Sequence, residues 1–178
     1  MSSLLALVLL SAPPAVGDQA ANFSLKSIGG ESISLADVTK KQTAVVVVLR
    51  GYPGYQCRLC SRQFGQFVSR AKDFEAANAN LVFVYPADES LGEEGTRAKA
   101  KEFLKNAQLP ANVKVVLDPG YQFTEAYDIR WDGANETAFP STFVIDSSGK
   151  VTAATVSKSH GGRTDVATVL ADAKRAGS

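Results

Sequence analysis

Continuous apolar runs mark the strands that we expect at the centre of this protein. Residues 44–49 are an alanine, four valines and a leucine, and residues 81–85 and 113–117 are two further runs rich in valine. A run that lacks alternating polar positions is typical of a strand buried on both faces of a largely parallel sheet. The pattern therefore predicts a core sheet built around these three strands.

Apolar residues at helical spacing follow and separate these strands. From Cys60 onward, Phe64, Phe67 and Phe74 fall on one face, which predicts a helix directly after the first buried strand. Further helices are predicted at residues 93–107, 121–127 and 165–176. The connection between the first two buried strands then contains a helix, and we expect a right-handed crossover.

Two hairpins complete the pattern of elements. Residues 23–25 and 33–35 flank a Gly-Gly pair, and residues 143–146 and 151–156 are joined by Ser-Ser-Gly-Lys. The order is then a hairpin, alternating strands and helices, a second hairpin and a closing helix. This order predicts an α/β fold in which helices flank a central mixed sheet, with an additional N-terminal β-hairpin.

The composition is that of an ordinary globular protein. The 178 residues are 45% apolar and 21% charged, and nineteen Lys and Arg against eighteen Asp and Glu leave a net charge of +1. The chain is long enough to bury one core, and it carries no basic stripe and no acidic tail. We therefore expect one domain, no nucleic-acid partner and little disorder.

The N-terminus carries a short apolar run. Residues 3–10 are mainly leucine and residues 11–15 contain small residues and prolines, but no Lys or Arg precedes the run. Residues 1–15 are interpreted either as an export signal, which implies a periplasmic protein, or as a flexible segment of a cytoplasmic one. The domain itself spans residues 16–178. The run is shorter than the ~20 residues that cross a bilayer, so we expect no stable membrane insertion.

Both cysteines of the chain, Cys57 and Cys60, lie between the first buried strand and the helix that follows it. The N–H groups and the dipole at a helix N-terminus stabilise a thiolate and lower the pKa of a cysteine. Arg50, Arg58 and Arg62 would act in the same direction if they face the sulfurs. The C-x-x-C spacing lets one thiol attack and the other close a disulfide, so the pattern favours redox chemistry.

Three other interpretations of the cysteine pair are weaker. A structural zinc site needs four Cys or His ligands, and the chain has two cysteines and one histidine. A disulfide across so short a loop would constrain the unfolded chain little. Two unrelated core cysteines are compatible with the composition, but they would rarely fall at this spacing on a strand-to-helix turn.

Several segments together resemble a known family. Residues 17–25, the valine-rich strand, the cysteine loop and residues 139–146 are similar to the redoxin branch of the thioredoxin superfamily. Within it they resemble the alkyl hydroperoxide reductase/thiol-specific antioxidant group, the peroxiredoxin-like proteins. The resemblance covers almost the whole chain and implies a thioredoxin-like fold and thiol-dependent redox activity without a bound cofactor.

The active-site residues that the resemblance implies match the family only in part. Peroxiredoxins carry the pattern P-x-x-x-T/S-x-x-C, in which the last residue attacks peroxide. Here Pro53 and Cys60 match, whereas Cys57 replaces the Thr or Ser. Pro140 stands where the family has an arginine before the T-F-x-I-D strand. In this interpretation Cys60 is peroxidatic, Cys57 resolves its sulfenic acid, and another arginine must replace the missing one, with Arg50 and Arg130 as candidates.

A thioredoxin-like interpretation turns the same departures into matches. In it Cys57 is the more exposed attacking thiol, and Cys60 resolves. Pro140 then resembles the cis-proline that faces the disulfide in thioredoxin-fold reductases, which predicts a cis bond between Phe139 and Pro140. The sequence alone leaves the two interpretations open.

His160 and the segment before Pro140 are further candidates. His160, the only histidine, could join both cysteines as a copper ligand, as in redoxin-fold copper chaperones, although those proteins use C-x-x-x-C. A turn position ahead of the last helix is the favoured interpretation of His160. The polar insertion at residues 131–137 is interpreted either as one wall of the site or as a surface loop, and the surface loop is favoured.

The expected function is that of a thiol-dependent oxidoreductase of the redoxin type. Cys57 and Cys60 would cycle between dithiol and disulfide and reduce peroxides or protein disulfides. An external thiol reductant, thioredoxin-like or glutathione-like, would restore the pair. The oligomeric state does not follow from the sequence.

Overall fold

The structure is a computed structural model that describes residues 12–105 and 107–177. The apolar run at residues 3–10, on which the expected export signal depends, lies outside the described residues. Within the described ranges, no helix combines the length and the apolar character needed to cross a bilayer.

The strands of the described chain form two sheets. A small antiparallel hairpin pairs β1 with β2, and a five-stranded sheet has the order β5-β4-β3-β6-β7. The strands are β1 (Ser24–Lys26), β2 (Ser32–Ser34), β3 (Thr43–Val48), β4 (Ala79–Ala87), β5 (Val113–Pro119), β6 (Ser141–Ile145) and β7 (Val151–Val156).

Helices occupy the connections between the strands. They are α1 (Leu35–Thr39), α2 (Arg58–Ser69), α3 (Ala71–Ala76), α4 (Gly92–Leu104), α5 (Gln122–Ala126) and α6 (Val166–Ala176), with a short 3₁₀ turn at Glu89–Leu91. The predicted mixed sheet, its flanking helices and the N-terminal hairpin are confirmed.

The central strand β3 is buried on both of its faces. It pairs in parallel with β4 and antiparallel with β6. Val45 and Val47 join the core cluster that packs against α2, α4 and α6, whereas Val46 and Val48 join the cluster on the opposite face with α1 and α5. Every residue of the strand is buried, as its continuous apolar run predicts. The strand therefore fixes the position of the loop that leaves its carboxyl end.

Two helical details differ from the sequence-based expectation. The predicted helix after β3 is interrupted at Arg70, whose backbone N–H group donates to the carbonyl of Phe67 at 3.0 Å, and the chain continues as α3. Phe67 and Phe74 still stack across the break, with ring centroids 5.8 Å apart. Helix α1 was not predicted, although Ser34 and Asp37 form a capping box at its start.

The prediction of a cis bond between Phe139 and Pro140 is wrong, because no cis peptide bond occurs in the described residues. Backbone hydrogen bonds hold Phe139 and Pro140 on the path that leads into β6. The N–H group of Phe139 donates to the carbonyl of Ile129, and that of Ser157 donates to the carbonyl of Pro140, both at 2.9 Å. The trans form of the Phe139–Pro140 bond allows both hydrogen bonds, and it is intrinsically preferred over the cis form by about 0.5–1 kcal/mol.

Candidate active site

The cysteine pair lies where β3 ends and α2 begins. Cys57 is the N-cap of α2, and its sulfur accepts a hydrogen bond from the N–H group of Cys60 at 3.3 Å. The sulfur of Cys60 accepts one from the N–H group of Arg50, also at 3.3 Å. Both sulfurs therefore receive backbone donors, the arrangement that stabilises a thiolate at a helix N-terminus.

The loop between β3 and Cys57 packs closely against β4 at Gly51 and Tyr52. The N–H group of Tyr52 donates to the carbonyl of Pro86 at 2.9 Å. Gly51 has φ of +57°, and a Cβ at this position would overlap the carbonyl oxygen of Pro86. Glycine is required here because only a residue without a side chain fits this close approach.

The two cysteines are unequally covered. Cys57 is 3% exposed and Cys60 is fully buried, so Cys57 lies closer to the surface. Both are free thiols. Tyr55 and Leu59, the residues two positions before and after Cys57, are 47% and 41% exposed. A substrate that reaches the pair would therefore meet Cys57 first.

Two arginine side chains contact the sulfurs. Arg163 Nη2 lies 3.3 Å from Cys60 Sγ and 4.0 Å from Cys57 Sγ. Arg50 Nη1 lies 3.9 Å from Cys57 Sγ. The expected role of Arg50 as a nearby cation is thus confirmed, and the expectation missed Arg163.

The other arginines considered in the sequence point elsewhere. Arg58 and Arg62 are exposed on α2 and make no contact with either sulfur. Arg130 lies over the ring of Tyr121 at 3.7 Å and donates to the carbonyl of Trp131. The suggestion that Arg130 replaces the family's arginine beside the cysteines is therefore wrong.

The surroundings shift the pKa values of the two thiols in opposite directions. The pKa of Cys57 falls from 9.0 to about 5, chiefly through hydrogen bonding from Cys60, with further help from Arg163 and Arg50 that outweighs burial. The pKa of Cys60 rises, because burial and the neighbouring Cys57 sulfur both disfavour its thiolate. The pair thus holds one thiolate, on Cys57, and one proton, on Cys60.

Arg50 is held in place by residues 131–137, the segment for which a surface loop is the favoured expectation. Its side chain is 3% exposed and pairs with Glu136 at 2.7 Å. Its Nη2 atom also donates to the carbonyl of Asn135 and to the hydroxyl of Tyr55, each at 3.0 Å. The hydroxyl of Thr137 donates to the carbonyl of Arg50. Residues 131–137 therefore form one wall of the site, the less favoured of the two interpretations of this segment.

Arg163 comes from the loop between β7 and α6. Its Nε atom donates to the carbonyl of His160 at 3.1 Å, and Nη1 donates to the side chain of Gln63. These bonds aim the third nitrogen at Cys60. No sequence pattern around Arg163 indicates this role, because the contact depends on how the β6–β7 hairpin returns the chain to α2.

His160 is not grouped with the cysteines. Its Nε2 atom lies 2.8 Å from Glu136 Oε1, and its ring lies 5.0 Å from that of Trp131. No group of three or more His, Cys, Asp or Glu residues suited to a metal occurs in the part of the chain that the structure describes. Copper binding by the cysteines and His160 would therefore require His160 to leave Glu136.

The two prolines singled out in the sequence lie at the same end of the sheet. Pro53 is buried in the loop after β3. Pro140 precedes Ser141, which pairs with Val48 at the end of β3. A cleft of about 440 Å³ opens beside this loop. Its lining includes Tyr52, Pro53, Tyr121, Arg130 and Glu136.

A mixed sheet with a C-x-x-C pair between a central strand and its helix defines a thioredoxin-like redoxin. The family model described as the AhpC/TSA family matches residues 16–154. The chain belongs to this family, which confirms the resemblance read from the sequence. Comparison with curated proteins finds no match.

Solved structures share the fold. A protein assigned as thiol:disulfide interchange protein DsbE from Chlorobium tepidum is 22% identical, with a TM-score of 0.67 over 93% of this chain and 99% of the other. The yeast mitochondrial 1-Cys peroxiredoxin is 19% identical, with a TM-score of 0.67 over 88% and 73%. The mitochondrial 2-Cys peroxiredoxin from Plasmodium falciparum is 22% identical, with a TM-score of 0.67 over 90% and 93%. The expected thioredoxin-like fold is thus confirmed.

Proposed function

We propose that the protein is a thiol–disulfide oxidoreductase in which Cys57 attacks a disulfide and Cys60 resolves the product. The observation that carries the proposal is the unequal state of the two thiols. Cys57 is the less buried sulfur, and its pKa is lowered to about 5. A thiolate at neutral pH is the nucleophile of disulfide exchange.

The first step forms a mixed disulfide. The thiolate of Cys57 bonds to one sulfur of the substrate disulfide, and the other substrate sulfur leaves as a thiolate. That leaving group takes up a proton, so one half of the substrate is reduced. Tyr55 and Leu59 flank the sulfur at which this bond forms.

In the second step Cys60 resolves the mixed disulfide, and this step depends on the two groups that donate hydrogen bonds to its sulfur. Once Cys57 is bound covalently, its charge no longer opposes ionisation of Cys60. The N–H group of Arg50 and Nη2 of Arg163, each 3.3 Å from Cys60 Sγ, then stabilise the thiolate that attacks Cys57. The second substrate thiol leaves, and Cys57 and Cys60 form a disulfide. An external thiol reductant, thioredoxin-like or glutathione-like, returns two electrons to the pair.

Pro53 and Pro140 are positioning residues in this proposal. Pro53 restricts the backbone of the loop that carries Cys57. Pro140 lacks an N–H group, so the chain before β6 offers no backbone donor at that position. Support for exchange also comes from the structural likeness to a protein assigned as a thiol:disulfide interchange protein.

Peroxide reduction by Cys60 is the second candidate. Two N–H donors converge on Cys60 Sγ at 3.3 Å, and peroxiredoxins are among the structures that share the fold. In this reaction Cys60 takes one peroxide oxygen and becomes a sulfenic acid, and the other oxygen leaves as water or an alcohol. Cys57 then attacks the sulfenic sulfur, releases water and leaves the same disulfide.

Single-cysteine variants distinguish the two reactions. Reduced Cys60→Ser should form a stable mixed disulfide with a disulfide substrate, visible by mass spectrometry at Cys57, and Cys57→Ser should form none. Stopped-flow mixing of reduced Cys57→Ser with hydrogen peroxide should give a rate near that of free cysteine. Rapid sulfenic acid formation in Cys57→Ser, without trapping in Cys60→Ser, would replace the first proposal by the second.

A further inference from the structure

Exposed apolar side chains are concentrated beside the proposed nucleophile. Among the described residues, the large hydrophobic side chains that are exposed are Val16, Tyr55 and Leu59. Two of these three flank Cys57. The hydroxyl of Tyr55 also accepts a hydrogen bond from Arg50 at 3.0 Å, which fixes the exposed ring in one orientation. A rigid, exposed aromatic ring next to a reactive group is a feature of protein-binding surfaces.

The same helix start carries two exposed positive charges. Arg58 and Arg62 are four positions apart on α2 and therefore lie on one face of the helix. No acidic residue occupies the first turn of α2. Cations near a helix N-terminus are unfavourable, because they oppose the positive end of the dipole. A partner that supplies negative charge would offset this cost.

Two acidic side chains line the cleft beside the cysteine loop. Asp88 and Glu136 line the cleft that also contains Gly54. Glu136 is already paired with Arg50 and His160. No residue of α2 is acidic, so the charge that this helix carries beside Cys57 is positive.

We propose that Tyr55, Arg58, Leu59 and Arg62 form a docking surface for an acidic polypeptide segment that carries the disulfide exchanged at Cys57. This proposal rests on the proposed function. The apolar pair contacts the substrate chain beside its cysteine, and the two guanidinium groups pair with carboxylates along α2. Charge complementarity of this kind raises the association rate and selects among partners.

The test compares two short peptides that each contain one disulfide and differ only in flanking Glu or Lys residues. At about 20 mM ionic strength we expect wild-type protein to exchange with the acidic peptide about tenfold faster in kcat/KM than with the basic one. At about 0.5 M salt the ratio should fall to about twofold, because salt screens exposed charges. A neutral small disulfide, bis(2-hydroxyethyl) disulfide, measures the chemistry without docking.

Matched double variants locate the effect. Arg58→Gln/Arg62→Gln should reduce the acidic-to-basic ratio to about twofold at low salt. Lys40→Gln/Lys41→Gln removes the same charge from two exposed residues that precede β3, at the end of the strand opposite the cysteines, and should keep the ratio. Each variant is compared with itself on two peptides, so a change in thiol reactivity alone leaves the ratio unaltered. Leu59→Ser should raise KM for both peptides.

The possible failures have different meanings. A wild-type ratio near one at low salt, or an unchanged ratio in Arg58→Gln/Arg62→Gln, would overturn the docking proposal while exchange with the neutral disulfide continues. Failure of wild-type protein to exchange with the neutral disulfide would overturn the proposed function itself, and the docking proposal with it.

Discussion

Arg163 Nη2 lies 3.3 Å from Cys60 Sγ, although 103 positions separate the two residues in the sequence. The same nitrogen is 4.0 Å from Cys57 Sγ, so one guanidinium group serves both sulfurs. The family pattern places an arginine before β6, where this chain has Pro140. Arg163 brings a positive charge to the cysteines from the segment after β7, which leaves the β6–β7 hairpin at the end where Pro140 enters it.

Replacing Arg163 should raise the pKa of Cys57. Loss of the positive charge in Arg163→Gln removes a cation that favours the thiolate, and we expect the alkylation rate of Cys57 at pH 5 to fall about 2- to 5-fold. Thiolate absorbance at 240 nm during a pH titration measures the shift. Arg175→Gln, an exposed arginine near the end of α6, serves as the control and should leave the titration unchanged. An identical titration in Arg163→Gln would show that Arg163 does not act on the thiolate.

The reactivity of Cys57 should be nearly independent of pH above neutrality. Because its pKa is about 5 rather than 9.0, alkylation of the reduced protein by iodoacetamide should reach a plateau near pH 6–7. Peptide mapping should assign the early label to Cys57 and leave Cys60, whose pKa is raised, unlabelled. A midpoint near 9 at Cys57 would contradict the proposed nucleophile.

The same shift should make the stability of the reduced protein depend on pH. The folded pKa of Cys57 is lower than the unfolded value, so its contribution is fully present above pH 9 and is lost as pH falls towards 5. The difference in free energy of unfolding between wild type and Cys57→Ser should therefore grow from pH 5 to pH 9. Urea denaturation under reducing conditions at several pH values measures it, and a constant difference would argue against a thiolate at Cys57.

Glu136→Gln should destabilise the protein through Arg50. The Arg50 and Glu136 side chains are 3% and 12% exposed, so the variant leaves a buried guanidinium without its counterion. We expect a loss of about 2–3 kcal/mol in the free energy of unfolding. Asp132→Asn is the matched control, because Asp132 is 98% exposed and lies 3.9 Å from its partner Arg130.

That control should change stability by less than about 0.5 kcal/mol. Equal, small losses in both variants would mean that Glu136 does not hold Arg50 in the folded protein.

The sequence predicted the sheet and the position of the cysteines because both depend on local pattern. The unbroken apolar run of β3 requires burial on two faces, and the Gly-Pro loop with C-x-x-C follows directly from its end. The helix boundaries were less accurate. Helix α1 has its signal in the capping pair Ser34 and Asp37, but the hairpin pattern predicts a strand over residues 33–35.

The surroundings of the sulfurs were only partly predictable. Arg58 and Arg62 are near the cysteines in sequence but project from α2 into solvent, whereas Arg163 is remote in sequence and in contact. Likewise, Glu136 reaches Arg50 from a segment whose composition resembles an ordinary loop. These contacts depend on how distant segments of the chain return to the end of β3. Such long-range contacts leave no local pattern of apolar and polar residues from which they could be predicted.

Gly51→Ala should disrupt the loop that presents Cys57. The new Cβ would overlap the carbonyl oxygen of Pro86, which is fixed in β4, and neither backbone segment has space to move. We expect a loss of at least about 3 kcal/mol in the free energy of unfolding, measured by urea denaturation. Gly65→Ala is the control: its Cβ would meet no atom within 4 Å inside α2. Because alanine is a better helix former than glycine, Gly65→Ala should raise the free energy of unfolding by about 0.5–1 kcal/mol. A neutral Gly51→Ala would mean that the loop does not approach β4 as closely as the structure places it.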